Sequence, residues 1–158
     1  MPIIKLKTLI KSDIQTVFDL SLSIDLHKIS TAQTKEEAIA GVISGVIREN
    51  ESVTWRAKHF GFYHTLTTKI TAYNAPNYFM DEMTQGVFKK LKHQHFFKEV
   101  SDMVEMIDVF EYKPPLGILG KFADFLFLKN YMTKFLKQRN QTIKEFAETE
   151  MWREVLKS

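Results

Sequence analysis

The chain contains no cysteine, and this absence removes several kinds of functional site at once. Disulfide bonds, zinc–thiolate centres and cysteine nucleophiles are all excluded. The N-terminal residues alternate between polar and apolar types, so they lack the continuous apolar core of a signal peptide. The most apolar stretch, residues 116–128, is interrupted by Lys121 and Asp124 and is too short to span a bilayer. We therefore expect a cytoplasmic protein without an integral membrane segment.

The chain also has no large excess of charge of either sign. It contains 22 Lys and Arg residues and 19 Asp and Glu residues, which gives a net charge of only +3. The tightest basic group is Lys89, Lys90 and Lys92, which we interpret as a solvated strand face. No basic run resembles a nucleic-acid-binding arm, and we expect no nucleic-acid partner. The nucleophile motifs Gly-x-Ser-x-Gly and Ser-x-x-Lys are absent as well, so we assign no catalytic residue.

Large apolar side chains, by contrast, are abundant. Hydrophobic residues make up 44% of the chain and aromatic residues 13%, and there are seven methionines. A length of 158 residues suits one domain spanning 1–158. The surplus of aromatic side chains indicates either a dense core or an apolar cavity that has to be lined.

Alternation of polar and apolar residues predicts strands through most of the chain. An opening strand covers 4–10, and a meander of six strands covers 42–47, 53–59, 62–73, 78–85, 88–97 and 103–112. Short, turn-like links separate the meander strands, so consecutive strands are expected to be antiparallel neighbours.

Helices are predicted at three places. Ser12 and Gln15 form a capping-box pattern that predicts a first short helix, and Thr34 with Glu37 predicts the cap of a second. Apolar residues recur at helical spacing from Phe122 almost to the C-terminus and predict a long final helix. The predicted fold is α+β and of the helix-grip type: a curved antiparallel sheet wraps around the long C-terminal helix, with two short helices after the first strand. Because a straight helix cannot fill a curved trough, we expect a cavity between them that opens near 114–120.

Two histidines are predicted to share the buried face of one strand, since His93 and His95 alternate with polar neighbours. A turn centred between Val100 and Ser101 gives the register with the next strand. It sets His93 opposite Asp108, His95 opposite Met106 and Leu91 opposite Phe110. A buried imidazole and carboxylate favour each other's charged forms, so this pairing predicts a protonated His93.

The His93–Asp108 pair has several interpretations. It can be a polar couple that fixes strand register, a polar anchor that orients a ligand in an apolar pocket, or an acid–base pair. A metal held by His93, His95 and Asp108 is a further interpretation, but such sites usually need more ligands than the sequence places there. We therefore predict no metal and no cofactor.

Candidate ligand-binding residues are those that fit inward faces of the strands or the apolar face near the start of the last helix. Most of them are expected to be ordinary core, with a minority touching the cavity. They are Trp55, Phe62, His64, Ile70, Phe79, Leu91, His93, His95, Met106, Asp108, Phe110, Leu119, Phe122, Phe125 and Leu126.

Several short motifs carry a resemblance to a known superfamily. They are Val53-Thr54-Trp55, His59-Phe60-Gly61, Ile70-Thr71-Ala72, Phe79-Met80-Asp81, Gly86-Val87-Phe88 and His93-Gln94-His95-Phe96-Phe97, followed by Asp108, Tyr112, Pro115-Leu116-Gly117, Leu119-Gly120 and Arg139. In these residues the chain resembles the SRPBCC (START/Bet v 1-like) superfamily, and within it a small bacterial branch labelled as ligand-binding or cell-division-inhibitor-like. Leu91 stands where that branch often has an aromatic residue.

The resemblance implies a helix-grip fold with a deep cavity between the sheet and the last helix. Members of the superfamily bind lipids, sterols, polyketides, quinones or plant hormones, and some act as cyclases or hydrolases. We therefore predict binding or transport of a small hydrophobic ligand that is lipid-, quinone- or polyketide-like. The alternatives are a partner-binding regulatory protein, with an apolar patch at Phe127, Leu128 or Met132 or transient membrane contact by 116–128, and a cyclase- or hydrolase-type enzyme that uses His93 and Asp108.

Overall fold

The computed structural model describes residues 1–115, 117–123 and 127–156. Its elements in chain order are β1 (Ile3–Ile10), α1 (Ile14–Ser21), α2 (Ile24–Ser30), a 3-10 turn (Ala32–Thr34), β2 (Glu37–Gly41), β3 (Ser52–His59), β4 (Phe62–Asn74), β5 (Tyr78–Gln85), β6 (Lys90–Val100), β7 (Met103–Lys113), α3 (Gly117–Ala123), α4 (Lys129–Glu148) and α5 (Trp152–Val155).

The strands of the described residues form one seven-stranded antiparallel sheet in the order β1-β7-β6-β5-β4-β3-β2. From β2 to β7 each strand therefore lies beside its neighbour in sequence, and β1 closes the other edge against β7. The register shifts once between β2 and β3 and twice between β4 and β5, and such bulges bend a strand and increase its twist. The sheet is accordingly curved, as a trough for a helix requires.

The helix α4 lies against β1, α1 and α2 and covers the concave face of this sheet. Its C-terminal half is the more buried one, since Arg139, Asn140, Ile143, Phe146 and Ala147 all lie in the interior. These positions follow the i, i+1, i+4, i+7, i+8 spacing of one helical face. The predicted architecture, a curved sheet around a long C-terminal helix with short helices after the first strand, is confirmed.

Two helix-cap predictions in the first third of the chain are wrong. The side chain of Asp13, not Ser12, caps α1 by accepting a hydrogen bond from the Thr16 amide at 2.9 Å. The second helix begins after Ser23, whose hydroxyl accepts from the Leu26 amide, and Thr34 and Glu37 cap no helix. This helix has only seven residues, too few for a period to be read from the sequence.

The strand predicted at 42–47 is also wrong, because β2 ends at Gly41. Gly41 and Gly45 adopt φ angles of +74° and +75°, which turn the chain out of the extended conformation. Only Val46 of this segment forms a bridge, to Ser23. Val42, Val46 and Ile47 pack against the core from a loop while Ile43 is exposed, so this burial pattern does not separate a loop from a strand.

The turn between β6 and β7 shifts the predicted register by two residues. Val100 pairs with Met103, so the turn consists of Ser101 and Asp102, and Ser101 has a positive φ of 58°. His93 therefore lies opposite Phe110 and His95 opposite Asp108. A shift of two residues preserves the side-chain alternation, so the predicted inward faces of both strands are correct.

Phe18 on α1 is at the centre of the larger core cluster. Its side chain is fully buried, and its ring makes edge-to-face contacts with Tyr73, Phe79 and Phe97 at centroid distances of 5.3–5.6 Å. These contacts join the first helix to the middle of the sheet. Among the described residues, no helix combines the length and the apolar character that crossing a membrane demands.

Replacement of Phe18 by alanine should lower the free energy of unfolding by about 3–5 kcal/mol, because it removes a fully buried ring and leaves a cavity. Urea denaturation monitored by circular dichroism measures this loss. The matched control is Phe62→Ala, since Phe62 is 71% exposed and its removal should cost little. Equal losses in the two variants would contradict the assignment of Phe18 to the core.

Candidate functional site

A cavity of about 670 Å³ lies between the concave face of the sheet and the first half of α4. Strands β3 to β7 form its floor with the side chains that the alternation directs inward. The helix contributes Tyr131, Met132, Phe135, Leu136 and Arg139, and Leu128 precedes it. These helix residues are mostly half-buried, whereas the second half of α4 is packed in the core. The cavity therefore exists where the helix stands away from the sheet.

Eight of the sequence-predicted residues line this cavity. They are Trp55, His64, Ile70, Phe79, Leu91, His93, His95 and Phe110. All eight lie on strands, where alternation alone determines the face. Pro115, beside the loop where we expect the opening, lines the cavity as well, and Leu116 lies outside the described residues.

The other predicted residues lie elsewhere. Met106 and Asp108 are fully buried behind the cavity wall, while Leu119 and Phe122 are 71% and 63% exposed on α3. Phe62 has the inward parity of His64, but it lies beside the β3–β4 turn with its side chain exposed, so the prediction that it lies in the cavity is wrong. Phe125 and Leu126 lie outside the described residues.

Asp108 is the centre of a buried polar group that we call the Asp108 cluster: Asp81, His93, His95, Asp108, Arg139 and Asn140. Asp108 Oδ1 is 2.7 Å from His93 Nε2 and accepts from Arg139 Nη1 at 3.3 Å. Asp108 Oδ2 accepts from Asn140 Nδ2 at 2.7 Å. Both oxygens of this fully buried carboxylate are therefore hydrogen-bonded, as its burial demands.

The two histidines connect this carboxylate to the cavity. The His93 and His95 rings lie 3.7 Å apart, and His95 stacks on Phe79 at 4.0 Å. His95 Nε2 is 2.8 Å from Asp81 Oδ2, and Asp81 also lines the cavity. Asp108 itself is shielded, so a ligand meets the cluster through His93, His95, Asp81 and Arg139.

The predicted contact between His93 and Asp108 is present, but the predicted charge state of His93 is wrong. Burial, with a smaller contribution from nearby His95, lowers the pKa of His93 to about 4, and the hydrogen bond and charge of Asp108 offset only part of this effect. His93 is therefore neutral at pH 7 and donates Nε2–H to the carboxylate.

The two carboxyl groups of the cluster remain ionised. Burial acts to raise the pKa of Asp108, but hydrogen bonds from His93 and His95 and the Arg139 charge outweigh it and hold the pKa well below its ordinary value. Burial likewise acts to raise the pKa of Asp81, and the hydrogen bond and charge of His95 reverse the effect. Arg139 supplies the permanent positive charge between them.

Sequence reasoning missed how Arg139 and Asn140 act in this cluster. Both lie in a polar run of α4, 138–141, which by itself is typical of a solvent-exposed turn of helix. The signal was their spacing, because Leu136, Asn140 and Ile143 recur at i, i+4 and i+7, which is the buried stripe of the helix. A polar residue inside such a stripe indicates a buried partner.

A metal ion is conceivable only at Asp81, His93 and His95, whose ligand atoms lie within 4.8 Å of one another, among the residues that the structure describes. His93 and His95 are already hydrogen-bonded to the Asp108 and Asp81 carboxylates at 2.7 and 2.8 Å, and Arg139 Nη2 lies 3.5 Å from His95 Nδ1. An adjacent guanidinium opposes cation binding. The arrangement fits a polar wall of an apolar cavity better than a metal centre.

A second polar group, the Glu36 group, lies toward the other edge of the sheet and consists of His27, Glu36, His59, His64 and Tyr131. Glu36 Oε1 is 2.8 Å from His27 Nε2, and the His27 ring packs against Trp55. His59 Nδ1 and the Tyr131 hydroxyl are hydrogen-bonded at 2.5 Å, and His59 and His64 lie 6.2 Å apart. All five residues line the cavity, and the sequence singled out only His64.

Neither a family model nor a curated protein sequence matches the chain, but solved structures do. Protein TTHA0849 of Thermus thermophilus superposes with a TM-score of 0.74 at 14% identity, over 91% of this chain and 95% of that one. A START superfamily protein of Mycobacterium smegmatis gives 0.69 at 11% identity, over 92% and 97%. The chain has the START/Bet v 1-like fold.

A plant protein extends the likeness across kingdoms. Major latex-like protein 151 of Panax ginseng gives a TM-score of 0.68 at 15% identity, over 94% of this chain and 98% of that one. Nearly the whole length of each chain is matched, so the likeness includes the sheet and the long helix together. The fold predicted from the sequence motifs is thereby confirmed, and identities this low carry no ligand or reaction from one protein to another.

Replacement of Asp108 by asparagine should lower the free energy of unfolding by about 3–5 kcal/mol, because it leaves Arg139 buried without its counter-charge. The new side-chain amide would also place its NH2 group where one of the carboxylate oxygens stood. In either orientation that group would meet a hydrogen-bond donor of His93, Arg139 or Asn140. Urea denaturation measures the loss, with Asp102→Asn as the control because Asp102 is exposed in the β6–β7 turn. A loss below about 1 kcal/mol would contradict a central role for this carboxylate.

The depressed pKa of His93 should make the protein less stable as the pH falls from 7 to 4. In this range the unfolded chain takes up a proton on His93 and the folded chain does not, so acid favours unfolding by about 3 kcal/mol. Urea denaturation at several pH values measures the effect. His93→Gln keeps a hydrogen-bond donor without titrating and should show a correspondingly weaker pH dependence. Identical pH profiles for the two proteins would refute the neutral, buried His93.

Proposed function

We propose that this protein binds a small, mainly apolar ligand, such as a lipid, quinone or polyketide-like molecule, in the cavity between the sheet and α4. The observation that carries the proposal is the cavity itself, about 670 Å³ in volume and lined chiefly by aliphatic and aromatic side chains. Its volume is within the range of small-molecule sites in proteins. The START/Bet v 1-like fold supports the same function.

The wall of the cavity favours an apolar occupant with a few polar groups. Ile47, Val53, Leu66, Leu91 and Phe110 expose carbon surface to it, and transfer of an apolar ligand onto such a surface gains about 25 cal/mol per Å². The polar side chains are concentrated in the Asp108 cluster and the Glu36 group. Such an arrangement binds a hydrophobic body and orients it through its polar substituents.

The alternatives from the sequence receive less support. Leu128 and Met132, two of the three residues predicted for a partner-binding patch, line the cavity, and only Phe127 is largely exposed. For an enzyme, a neutral His93 lines the cavity with its Nε2 hydrogen-bonded to Asp108, but the sequence has no recognisable nucleophile motif to act with it. Both alternatives stay predictions.

The first experiment is native mass spectrometry of the purified protein, followed by organic extraction of bound molecules. A co-purifying apolar compound at a stoichiometry near one supports the proposal and gives its chemical class. If the protein is free of ligand, titration with a fluorescent apolar probe decides the question.

Filling the cavity should abolish ligand binding without unfolding the protein. Ala57 is buried and lines the cavity from β3, so Ala57→Phe should weaken the binding of the fluorescent probe N-phenyl-1-naphthylamine by about tenfold or more. The control is Ala40→Phe on the exposed side of β2. Equal probe affinity in wild type and both variants, with unchanged circular dichroism spectra, would show that the probe binds elsewhere and contradict the proposal.

A further inference from the structure

The Glu36 carboxylate points to one feature of the ligand that the apolar wall does not specify. Glu36 immediately precedes β2 and lines the cavity, and only 8% of its side-chain surface is exposed. We propose that Glu36 recognises a hydrogen-bond donor on the ligand, either a hydroxyl group or a protonated amine. This inference rests on the proposed binding function and narrows its substrate class.

The two oxygens of this carboxylate have different surroundings. Glu36 Oε1 is 2.8 Å from His27 Nε2, which satisfies it. Glu36 Oε2 is buried and, within the described part of the chain, accepts no hydrogen bond. A buried carboxylate oxygen without a donor is costly to the folded protein, so such an atom beside a cavity indicates a donor that arrives with a ligand.

The Asp108 cluster provides an internal comparison. Asp108 has the same chemistry as Glu36, but its two oxygens accept from His93, Arg139 and Asn140. Its hydrogen-bonding capacity is used within the protein and serves to hold the structure together. Of the two polar groups on the cavity, the Glu36 group is therefore the one with a free acceptor for a ligand.

His59 and Tyr131 also line this part of the cavity, and they are hydrogen-bonded to each other and not to Glu36. Burial lowers the pKa of His59, a shift that Glu36 partly opposes, and burial also raises the pKa of Tyr131. His59 and Tyr131 are accordingly neutral near pH 7 and hydrogen-bonded to each other. Within the described residues neither of them reaches Glu36 Oε2, so this oxygen stays an acceptor position for a ligand.

The distance of Glu36 itself from the β6 histidines places the donor on the ligand. The Asp108 cluster includes residues of β6, while Glu36 stands beside β2, four strand spacings away, or about 19 Å along the sheet. The wall between them is mostly carbon surface, with Trp55, Leu66 and Ile70, and it also carries His64 and Thr68. A ligand that reaches Glu36 therefore carries its hydroxyl or amine at one end of an apolar body.

A series of four probes with one shared ring system tests this inference: naphthalene, 2-methoxynaphthalene, 2-naphthol and 2-naphthylmethylamine. They present, respectively, no polar group, an acceptor alone, a hydroxyl donor and a cationic donor. Their affinities are measured by intrinsic fluorescence or by displacement of N-phenyl-1-naphthylamine. The wild type should bind at least one donor probe about tenfold or more tightly than 2-methoxynaphthalene, and the stronger donor shows whether the ligand carries a hydroxyl or an amine.

Two substitutions assign the preference to Glu36. Glu36→Leu should abolish the tenfold preference for either donor, while Glu36→Gln keeps a carbonyl acceptor and should retain part of the preference for 2-naphthol but none for the amine. Glu37→Gln is the control, because Glu37 is the next residue and its side chain is exposed. Circular dichroism confirms that each variant is folded, and the Gln variant serves if the Leu variant is not.

The outcomes separate this inference from the proposed function. Equal binding of 2-methoxynaphthalene and both donor probes to the wild type would overturn the role of Glu36 while leaving the apolar cavity as a binding site. A donor preference that persists in Glu36→Leu would overturn it as well. Failure of all four probes to bind or to displace the fluorophore would instead count against the cavity as a ligand site.

Discussion

The buried carboxylate of Asp108 is the constraint on which much of this structure depends. A charge with no solvent exposure is tolerated only when hydrogen bonds and counter-charges surround it. Here β6 supplies His93, and α4 supplies Arg139 and Asn140. One side chain thus links the middle of the sheet to the middle of the helix.

This link also explains where the cavity lies. Arg139 and Asn140 fix α4 to the sheet at its midpoint, and the second half of the helix packs against β1, α1 and α2 through Ile143 and Phe146. The first half extends from the fixed point over a curved surface that a straight rod cannot follow. Space therefore remains beneath Tyr131, Met132 and Phe135, and the polar cluster forms one boundary of that space.

The sequence predicts the features of this arrangement that depend on the alternation of residues within a strand. It does not predict the features that depend on how the strand packs against other elements. The inward faces of β6 and β7 follow from the period of two, which survives even a register error of two residues at Ser101 and Asp102. The contact of His93 with Asp108 survives for the same reason, although the two residues are not direct cross-strand partners. Phe62 shows the limit of this reasoning. Its parity is correct, but the alternation does not reveal that its side chain is exposed beside the β3–β4 turn.

Charge state and long-range partners were harder to predict, for a physical reason. An imidazole beside a carboxylate favours protonation, but the sequence does not show how completely the pair is desolvated or that His95 lies 3.7 Å from His93. Arg139 lies 31 residues from Asp108, and only the packing of α4 brings the two together. Once Arg139 supplies the positive charge that Asp108 needs, His93 no longer has to.

The two polar groups of the cavity differ in how much of their capacity the protein itself uses, and this difference has a functional meaning. In the Asp108 cluster the carboxylate oxygens, the amide and the guanidinium are bonded to one another, so the cluster is rigid and adds stability before any ligand arrives. The Glu36 carboxylate has one oxygen with a hydrogen-bond partner and one without, beside a mostly apolar wall.

A cavity that binds apolar molecules gains most of its affinity from surface burial, which discriminates poorly between ligands of similar size. Selectivity then depends on the few polar atoms whose bonds are completed only by the correct ligand, because a wrong ligand leaves them buried and unpaired. By this criterion we infer that Glu36, rather than the more conspicuous histidine and aspartate pair, selects among the ligands proposed for the cavity.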